Sequence, residues 1–140
     1  MQDPNKKLVI VSACLAGLAS RYDGRIISCP DCLKKLGDVH WIPLCPEQLG
    51  GLPTPRPAAQ IVGGEGADVL AGSAQVLCVD DGRDLTRPFI DGAHQVLDIA
   101  RRQNVKTAYL KARSPSCGVT RYGVTAALLA AHDIILEEFG

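Results

Sequence analysis

The chain has 140 residues, of which 46% are hydrophobic and only 4% aromatic, and its formal net charge at pH 7 is zero. This length and composition suit one domain over residues 1–140, with a core of aliphatic side chains. A neutral chain without a basic run does not fit proteins that wrap long nucleic acid, because neutralising phosphates requires clustered Lys and Arg.

The first half of the chain alternates strand patterns with turn and helix signals. A nearly continuous apolar run over residues 8–13 predicts a buried inner strand of a parallel sheet. Proline at a first helical position favours a short helix over Pro30–Leu36. Residues 39–44 are typical of a second strand, whose Pro43 fits an edge or a strand end. The Pro- and Gly-rich residues 45–57 predict irregular, extended backbone.

The middle of the chain combines loop signals with one long helical pattern. Glycine-rich residues 63–72 predict a mobile loop, and residues 75–79 predict a strand. Thr86 has the position of an N-cap for a helix over residues 87–103, because the apolar side chains that follow it recur at helical spacing.

The last third of the chain returns to strands. Residues 107–110 and 134–139 predict strands on either side of a small-residue helix over Val124–Ala131. Strands that alternate with helices predict an α/β fold, here a single Rossmann-like domain with a mostly parallel sheet flanked by helices.

Two further features indicate the compartment. No apolar stretch reaches the ~20 residues of a membrane span, and the polar start lacks a signal-peptide pattern. We therefore expect a cytoplasmic protein that does not associate with membranes. In that compartment the six cysteines do not indicate a disulfide framework, so they are buried thiols or ligands of a metal or cluster.

Three cysteines lie at or just beyond the carboxyl ends of predicted strands. Cys14 follows the first strand, Cys45 follows the second, and Cys117 lies in the loop after the strand over residues 107–110. Since functional sites of parallel sheets form at these ends, we expect the three loops to face one pocket. Soft thiolates suit zinc or iron–sulfur clusters, and three protein ligands leave one metal position open for substrate. The alternative is three small buried side chains without a chemical role.

The remaining cysteines give weaker signals. Cys29 and Cys32 form a C-x-x-C unit, which is typical of half a zinc site or of a redox pair. A four-cysteine zinc site needs a second C-x-x-C, and the sequence has none. Two other roles are open for this pair: Cys29 and Cys32 are extra ligands of the main site, or they form a local disulfide. Cys78 falls inside a predicted strand and is expected in the core.

Polar residues next to these cysteines are candidates for catalysis. Glu47 lies two residues after Cys45, and a carboxylate beside a metal-binding thiolate is a candidate general acid or base. Ser114 and Ser116 are candidates to hydrogen-bond a bound anion or substrate. Their alternative role is turn formation, because Ser and Pro mark turns.

Basic residues and histidines are less informative. Three basic side chains are candidates to position a ligand, although each is more typical of a surface charge: Arg21, Arg56 and Lys111. The three histidines are scattered along the chain, and no role follows for them from their positions.

Five segments together resemble one family. They are residues 11–15 (VSACL), 21–24 (RYDG), 45–57 (CPEQLGGLPTPRP), 114–118 (SPSCG) and 123–129 (GVTAALL). In this order, over nearly the whole chain, they resemble short bacterial proteins of a domain-of-unknown-function family that includes the [4Fe-4S]-dependent thiouracil desulfidases. The segment over residues 45–57 is too long and too specific to arise by chance.

The resemblance implies a [4Fe-4S] cluster held by Cys14, Cys45 and Cys117, with one open iron that takes the sulfur of a small thiolated nucleobase. Water then replaces that sulfur at carbon, which gives uracil and sulfide without net redox change. Glu47 would activate the water or protonate a ring nitrogen, and a serine of residues 114–118 would hold the base. The rival functions are a non-catalytic cluster-binding or sulfur-handling accessory protein, and a plain structural domain.

Two features depart from the family pattern. Only residues 119–122 connect the 114–118 and 123–129 segments, where the resemblance leads us to expect a longer glycine-rich excursion. The Cys29 and Cys32 pair is not part of the pattern, so we expect that neither is a cluster ligand.

Overall fold

A computed structural model describes residues 6–140, which contain six strands and five α-helices. The strands are β1 (Leu8–Ser12), β2 (His40–Leu44), β3 (Ala59–Val62), β4 (Gln75–Cys78), β5 (Thr107–Lys111) and β6 (Ile135–Phe139). The helices are α1 (Pro30–Leu36), α2 (Pro46–Leu49), α3 (Gly66–Ala71), α4 (Thr86–Arg102) and α5 (Val124–Ala131). A 3-10 turn, Ala13–Ala16, directly follows β1.

The main sheet is parallel and has the strand order β2-β1-β5-β6. The prediction that β1 is an inner strand of a parallel sheet is confirmed. β2 is an edge strand, which explains how the sheet tolerates Pro43. From β1 the chain runs outward to β2, and from β5 it runs outward to β6 on the other side. The strand order therefore reverses between β1 and β5, and in open α/β sheets ligands bind at such a switch point.

Side-chain alternation along β1 divides the core between the two faces of this sheet. Ile10 is buried in the larger cluster, together with residues of α3, α4 and α5. Val9 and Val11 point to the opposite face, where they pack with Cys32 and Leu36 of α1. Helices therefore cover both faces, as the apolar run of β1 requires.

A second, smaller sheet was not expected. β3 pairs antiparallel with β4, so the strand predicted at residues 75–79 is present but does not belong to the parallel sheet. The mobile loop predicted at residues 63–72 is wrong, because residues 66–71 form α3. A capping box, in which the Glu65 and Asp68 side chains each accept the other residue's backbone N–H, stabilises the start of α3.

Two smaller expectations are also corrected. Residues 45–57 are not irregular throughout, because α2 forms at their start with Pro46 at its first position. Thr86 is not the N-cap of α4: Leu85 holds that position, and the Thr86 hydroxyl accepts the Val76 N–H at 2.9 Å. None of the helices within residues 6–140 is long and apolar enough to cross a membrane.

Candidate functional site

The three cysteines after the strands lie at one edge of the main sheet. Cys14 is in the 3-10 turn after β1, and Cys45 directly follows β2 as the N-cap of α2. Cys117 is buried in the loop after β5. Because β2, β1 and β5 are parallel neighbours, their carboxyl ends bring these loops to the same side of the domain. All three are free thiols.

Burial and the charges of neighbouring thiolates raise the pKa values of two of these thiols, Cys14 and Cys117. Burial raises the pKa of Cys14, the charge of a Cys45 thiolate raises it further, and Lys111 and Arg21 oppose the rise. Burial is also the largest reason that the pKa of Cys117 is raised, and Cys14 and Cys45 add to it. The three sulfurs are therefore within electrostatic reach of one another.

The side chains at this edge are near one another without forming a closed ligand set. Within residues 6–140, no three His, Cys, Asp or Glu side chains are gathered closely enough to hold a metal ion. The donor chemistry nevertheless fits an iron–sulfur cluster, because three free thiols come from three separate loops at one edge.

Ser114 shapes the loop that carries Cys117. Its Oγ accepts the backbone N–H groups of Ser116 at 3.1 Å and Cys117 at 3.0 Å, while its carbonyl accepts the N–H of Gly118 at 2.9 Å. This is the turn chemistry that the sequence left open for the serines. The start of α5 is hydrogen-bonded to this loop, since the Ala126 N–H donates to the Ser116 carbonyl at 3.0 Å.

Glu47 connects the loop after β2 to the loop after β5. It lies in the single turn of α2, and its side chain is 13% exposed. Its Oε1 accepts from Nε of Arg56 at 2.9 Å, and its Oε2 accepts from the Ser116 hydroxyl at 3.2 Å. The Ser116 side chain is therefore a hydrogen-bond partner of the carboxylate, and Ser116 is almost fully buried.

Arg56 is a candidate to position a ligand that the sequence described as more typical of a surface charge. The structure corrects the surface alternative, because the Arg56 side chain is only 5% exposed. Its guanidinium donates to the following acceptors: Glu47 Oε1 at 2.9 Å, Pro53 O at 3.2 Å, Thr54 Oγ1 at 2.9 Å, Ser20 O at 3.0 Å and Cys45 Sγ at 3.7 Å. A signal was available, because Glu47 and Arg56 are the two charged residues of the 45–57 segment.

The other two basic candidates make local contacts. Arg21 pairs with Asp23 at 3.4 Å, and Lys111 donates to the carbonyls of Ala112 at 3.0 Å and Gly140 at 3.3 Å. Both reach the site through their charge, since each lowers the pKa of Cys14.

The C-x-x-C pair lies at the start of α1. Cys32 is fully buried against the face of the main sheet that α1 covers, and Cys29 is partly buried beside it. Both are free thiols rather than a disulfide. Burial, followed by the charges of Cys29 and Cys14, raises the pKa of Cys32 to about 11. Cys78 is buried in the core, as expected.

The short connection over residues 119–122 is a closed turn. The Gly123 N–H donates to the Gly118 carbonyl at 2.8 Å, which joins the ends of the turn. Glu138 of β6 supports it from outside: Oε2 accepts the N–H groups of Val119 at 2.7 Å and Thr120 at 2.9 Å. The missing excursion is thus replaced by a turn anchored on the last strand.

Two cavities differ in their relation to this edge. One cavity of about 80 Å³ adjoins the Glu47 and Arg56 pair. Arg83 also lines it, and its other lining residues are apolar: Leu52, Pro53, Pro57, Ala59, Leu85 and Phe89. A wider depression of about 550 Å³ is lined by residues at the amino ends of β1 and β2, among them Leu8 and His40. The wider depression is therefore at the opposite end of these strands from the cysteines.

Comparisons with known proteins agree with one another. A family model described as 2-thiouracil desulfurase matches residues 9–136. The Bacillus subtilis (strain 168) protein YbbK is 37% identical over 145 residues, which covers 93% of this chain and 95% of that protein. The solved structure of a [4Fe-4S]-dependent thiouracil desulfidase, TudS, matches with a TM-score of 0.76 and 37% identity, over 95% of this chain and 91% of that chain.

Proposed function

Because this chain belongs to the 2-thiouracil desulfurase family, we propose that it converts a 2-thiouracil-like base and water into uracil and sulfide. The observation that carries the proposal is the match to a [4Fe-4S]-dependent thiouracil desulfidase over nearly the full length of both chains. The match covers nearly the whole chain at 37% identity, so it supports a shared activity as well as a shared fold.

Cys14, Cys45 and Cys117 are the proposed ligands of the cluster. The support is their placement in three loops at one edge of the sheet, where all three are free thiols. A cluster bound there supplies a Lewis-acidic iron for the soft sulfur of the substrate. The cysteines contribute the soft anionic donors that such a cluster requires.

Glu47 is the proposed acid–base group. In the reaction, a C–O bond forms from water, the C–S bond breaks, and a proton must leave the attacking water. A carboxylate held by Arg56 on one oxygen and by Ser116 on the other has a fixed orientation for receiving that proton on Oε2. The water gives up its second proton when the carbonyl of uracil forms, and both protons leave with the sulfur as hydrogen sulfide, so no oxidant or reductant is consumed.

Ser114 and Ser116 have distinct proposed roles. The Ser114 Oγ already accepts two backbone N–H bonds, so its contribution is to shape the Cys117 loop, while its own hydroxyl proton remains for a base edge. Ser116 orients Glu47. Its hydroxyl proton is already donated to the Glu47 carboxylate, so it is not available to the substrate. The proposed partner is a small thiolated nucleobase rather than a nucleic acid strand, because the chain has zero net charge and no basic run to neutralise phosphates.

The test is sulfide release by anaerobically prepared protein loaded with iron and sulfide. We expect one sulfide for each uracil formed from 2-thiouracil by the wild type. Cys117→Ser should release none, and Cys78→Ala, which removes a thiol from the second sheet, should behave as the wild type. Protein that holds iron but forms no uracil would instead be an accessory protein, and protein that holds no iron would be a plain structural domain.

A further inference from the structure

We propose that Arg56 is a positioning residue for the desulfidase reaction, whose guanidinium fixes the Glu47 carboxylate and the Cys45 sulfur relative to the loop after β1. The inference rests on the proposed function. Arg56 acts through Glu47 and Cys45 rather than on the substrate.

The first support is that every N–H of the guanidinium has an acceptor. Arginine has five such donors in a rigid planar fork, and the structure gives Arg56 five acceptors. A buried charge is costly unless it is paired and hydrogen-bonded, and here the carboxylate of Glu47 supplies the opposite charge. The Arg56 side chain is only 5% exposed and all its donors are paired, which is typical of a buried structural contact and not of a surface arginine.

The second support is which segments those acceptors belong to. Ser20 follows the 3-10 turn that carries Cys14, and its carbonyl accepts from both Arg56 at 3.0 Å and the Cys45 thiol at 3.8 Å. Glu47 extends the connection to Ser116, in the loop after β5. Arg56 and its partner Glu47 therefore link the three loops that carry the proposed ligands.

The third support is that the surroundings hold Arg56 itself in place. Its backbone N–H donates to the Tyr22 carbonyl at 2.6 Å, in the same loop as Ser20. Thr54, which accepts from the guanidinium, also accepts from the Gln48 side chain of α2 at 2.8 Å. The fork is thus pre-oriented, as a positioning role requires.

A lysine cannot reproduce this arrangement. Its ammonium is a point charge with three donors, so it can keep the positive charge near Cys45 but cannot hold two loops and a carboxylate at once. Arg56→Lys therefore separates charge from geometry. Arg56→Met removes both and keeps a side chain of similar length, and Arg56→Ala leaves a space that a guanidinium ion can enter.

The experiment compares these three variants with the wild type in anaerobically loaded full-length protein. The matched control is Arg87→Gln, because the Arg87 side chain is 81% exposed and pairs along α4 with Asp91 at 3.0 Å. The readouts are iron per chain, kcat and KM for 2-thiouracil, the reduction potential of the cluster, and recovery of Arg56→Ala on adding guanidinium ion.

We expect Arg56→Lys to retain its iron and its reduction potential, but to lower kcat about 100-fold with KM changed less than about twofold. Arg56→Met should in addition make the potential more negative, since it loses a positive charge and the hydrogen bond to the sulfur of Cys45, a proposed cluster ligand. Adding guanidinium ion should restore part of the kcat of Arg56→Ala. Arg87→Gln should have the wild-type kcat without added guanidinium ion.

Three results would overturn the inference: wild-type kcat in Arg56→Lys, an unchanged potential in Arg56→Met, or loss of iron from all three variants without recovery by guanidinium ion. The last result would make Arg56 a structural support only. If the wild type itself releases no sulfide, the proposed function fails, while the potential of Arg56→Met still decides whether Arg56 acts on the Cys45 sulfur.

Discussion

Gly92→Ala tests whether helix packing sets the position of the Cys45 and Glu47 loop. α2 lies directly against α4, and a Cβ on Gly92 would be 1.9 Å from the carbonyl oxygen of Pro46. The contact is reciprocal, because a Cβ on Gly50 would be 2.0 Å from the Pro88 carbonyl oxygen. These are backbone atoms, so no side-chain rotation relieves the overlap.

The size of the effect follows from that distance. Ordinary contact begins at 3.4 Å, so α2 and α4 must separate by about 1.5 Å, the difference between 3.4 Å and 1.9 Å. Overpacking of this kind costs about 1–3 kcal/mol of unfolding free energy. A displacement of about 1 Å at a catalytic group lowers kcat about 100-fold, and Glu47 lies one residue after the carbonyl that must move.

The assay pairs thermal unfolding with sulfide release. Gly37→Ala is the matched control, because Gly37 ends α1 with an ordinary helical φ of −62° and its added Cβ meets only the Lys34 carbonyl at 3.3 Å. We expect the control to keep both Tm and kcat, and Gly92→Ala to lower both. If Gly92→Ala keeps wild-type kcat, the close approach of α2 and α4 does not position Glu47, and the reasoning is refuted.

Three further predictions concern Glu47, the Cys29 and Cys32 pair, and Glu138. Glu47→Gln should keep its iron and lower kcat by about 100- to 10,000-fold, and wild-type turnover would remove Glu47 from the mechanism. Replacing Cys29 and Cys32 together with Ser should leave iron per chain unchanged, whereas loss of iron would mean that the ligand set is wrong. The pKa of the Glu138 carboxyl is lowered from its ordinary 4.5, and the largest cause is the hydrogen bond from the Thr120 N–H. The ionised Glu138 therefore stabilises the folded protein above pH 4.5, and this stabilisation is lost as the pH falls through the lower pKa of the folded state. Urea unfolding should therefore find Glu138→Gln less stable than the wild type at pH 7 and equal to it near the acid limit, and a difference that does not vary with pH would contradict this.

Much of the main sheet follows from local patterns. The apolar run of β1 is readable because an inner parallel strand is buried on both faces, and Pro43 marks β2 as an edge because proline lacks an N–H. The bounds of α1 and α5 also agree with their predictions. These elements are determined by residues close together in the chain.

The second sheet and α3 could not be predicted in the same way. β3 and β4 pair across more than ten residues, and such nonlocal pairing leaves only a weak local signal in four-residue strands. α3 has six residues, of which the first is Gly66, and Gly72 follows it; its capping box uses Glu65 and Asp68 in place of the usual Ser or Thr followed by Glu. Glycine content therefore suggested a loop where a short capped helix forms.

The candidate site divides similarly. The common placement of Cys14, Cys45 and Cys117 follows from the topology, since strand-end residues of adjacent parallel strands share an edge. The burial of Arg56 does not, because it depends on acceptors from segments up to 36 residues away in sequence. The opposite charges of Glu47 and Arg56 in an otherwise uncharged segment are the one trace of that contact in the sequence.

The most direct test of the three-cysteine site is the iron content of anaerobically reconstituted protein, measured for the wild type and for Cys14→Ser, Cys45→Ser and Cys117→Ser. We expect about four irons per chain in the wild type, the number of one cubane cluster. Each single variant should lose most of that iron, because a cluster with three protein ligands cannot spare one. Full iron content in any of the three variants would contradict the assignment of Cys14, Cys45 and Cys117 as the ligands.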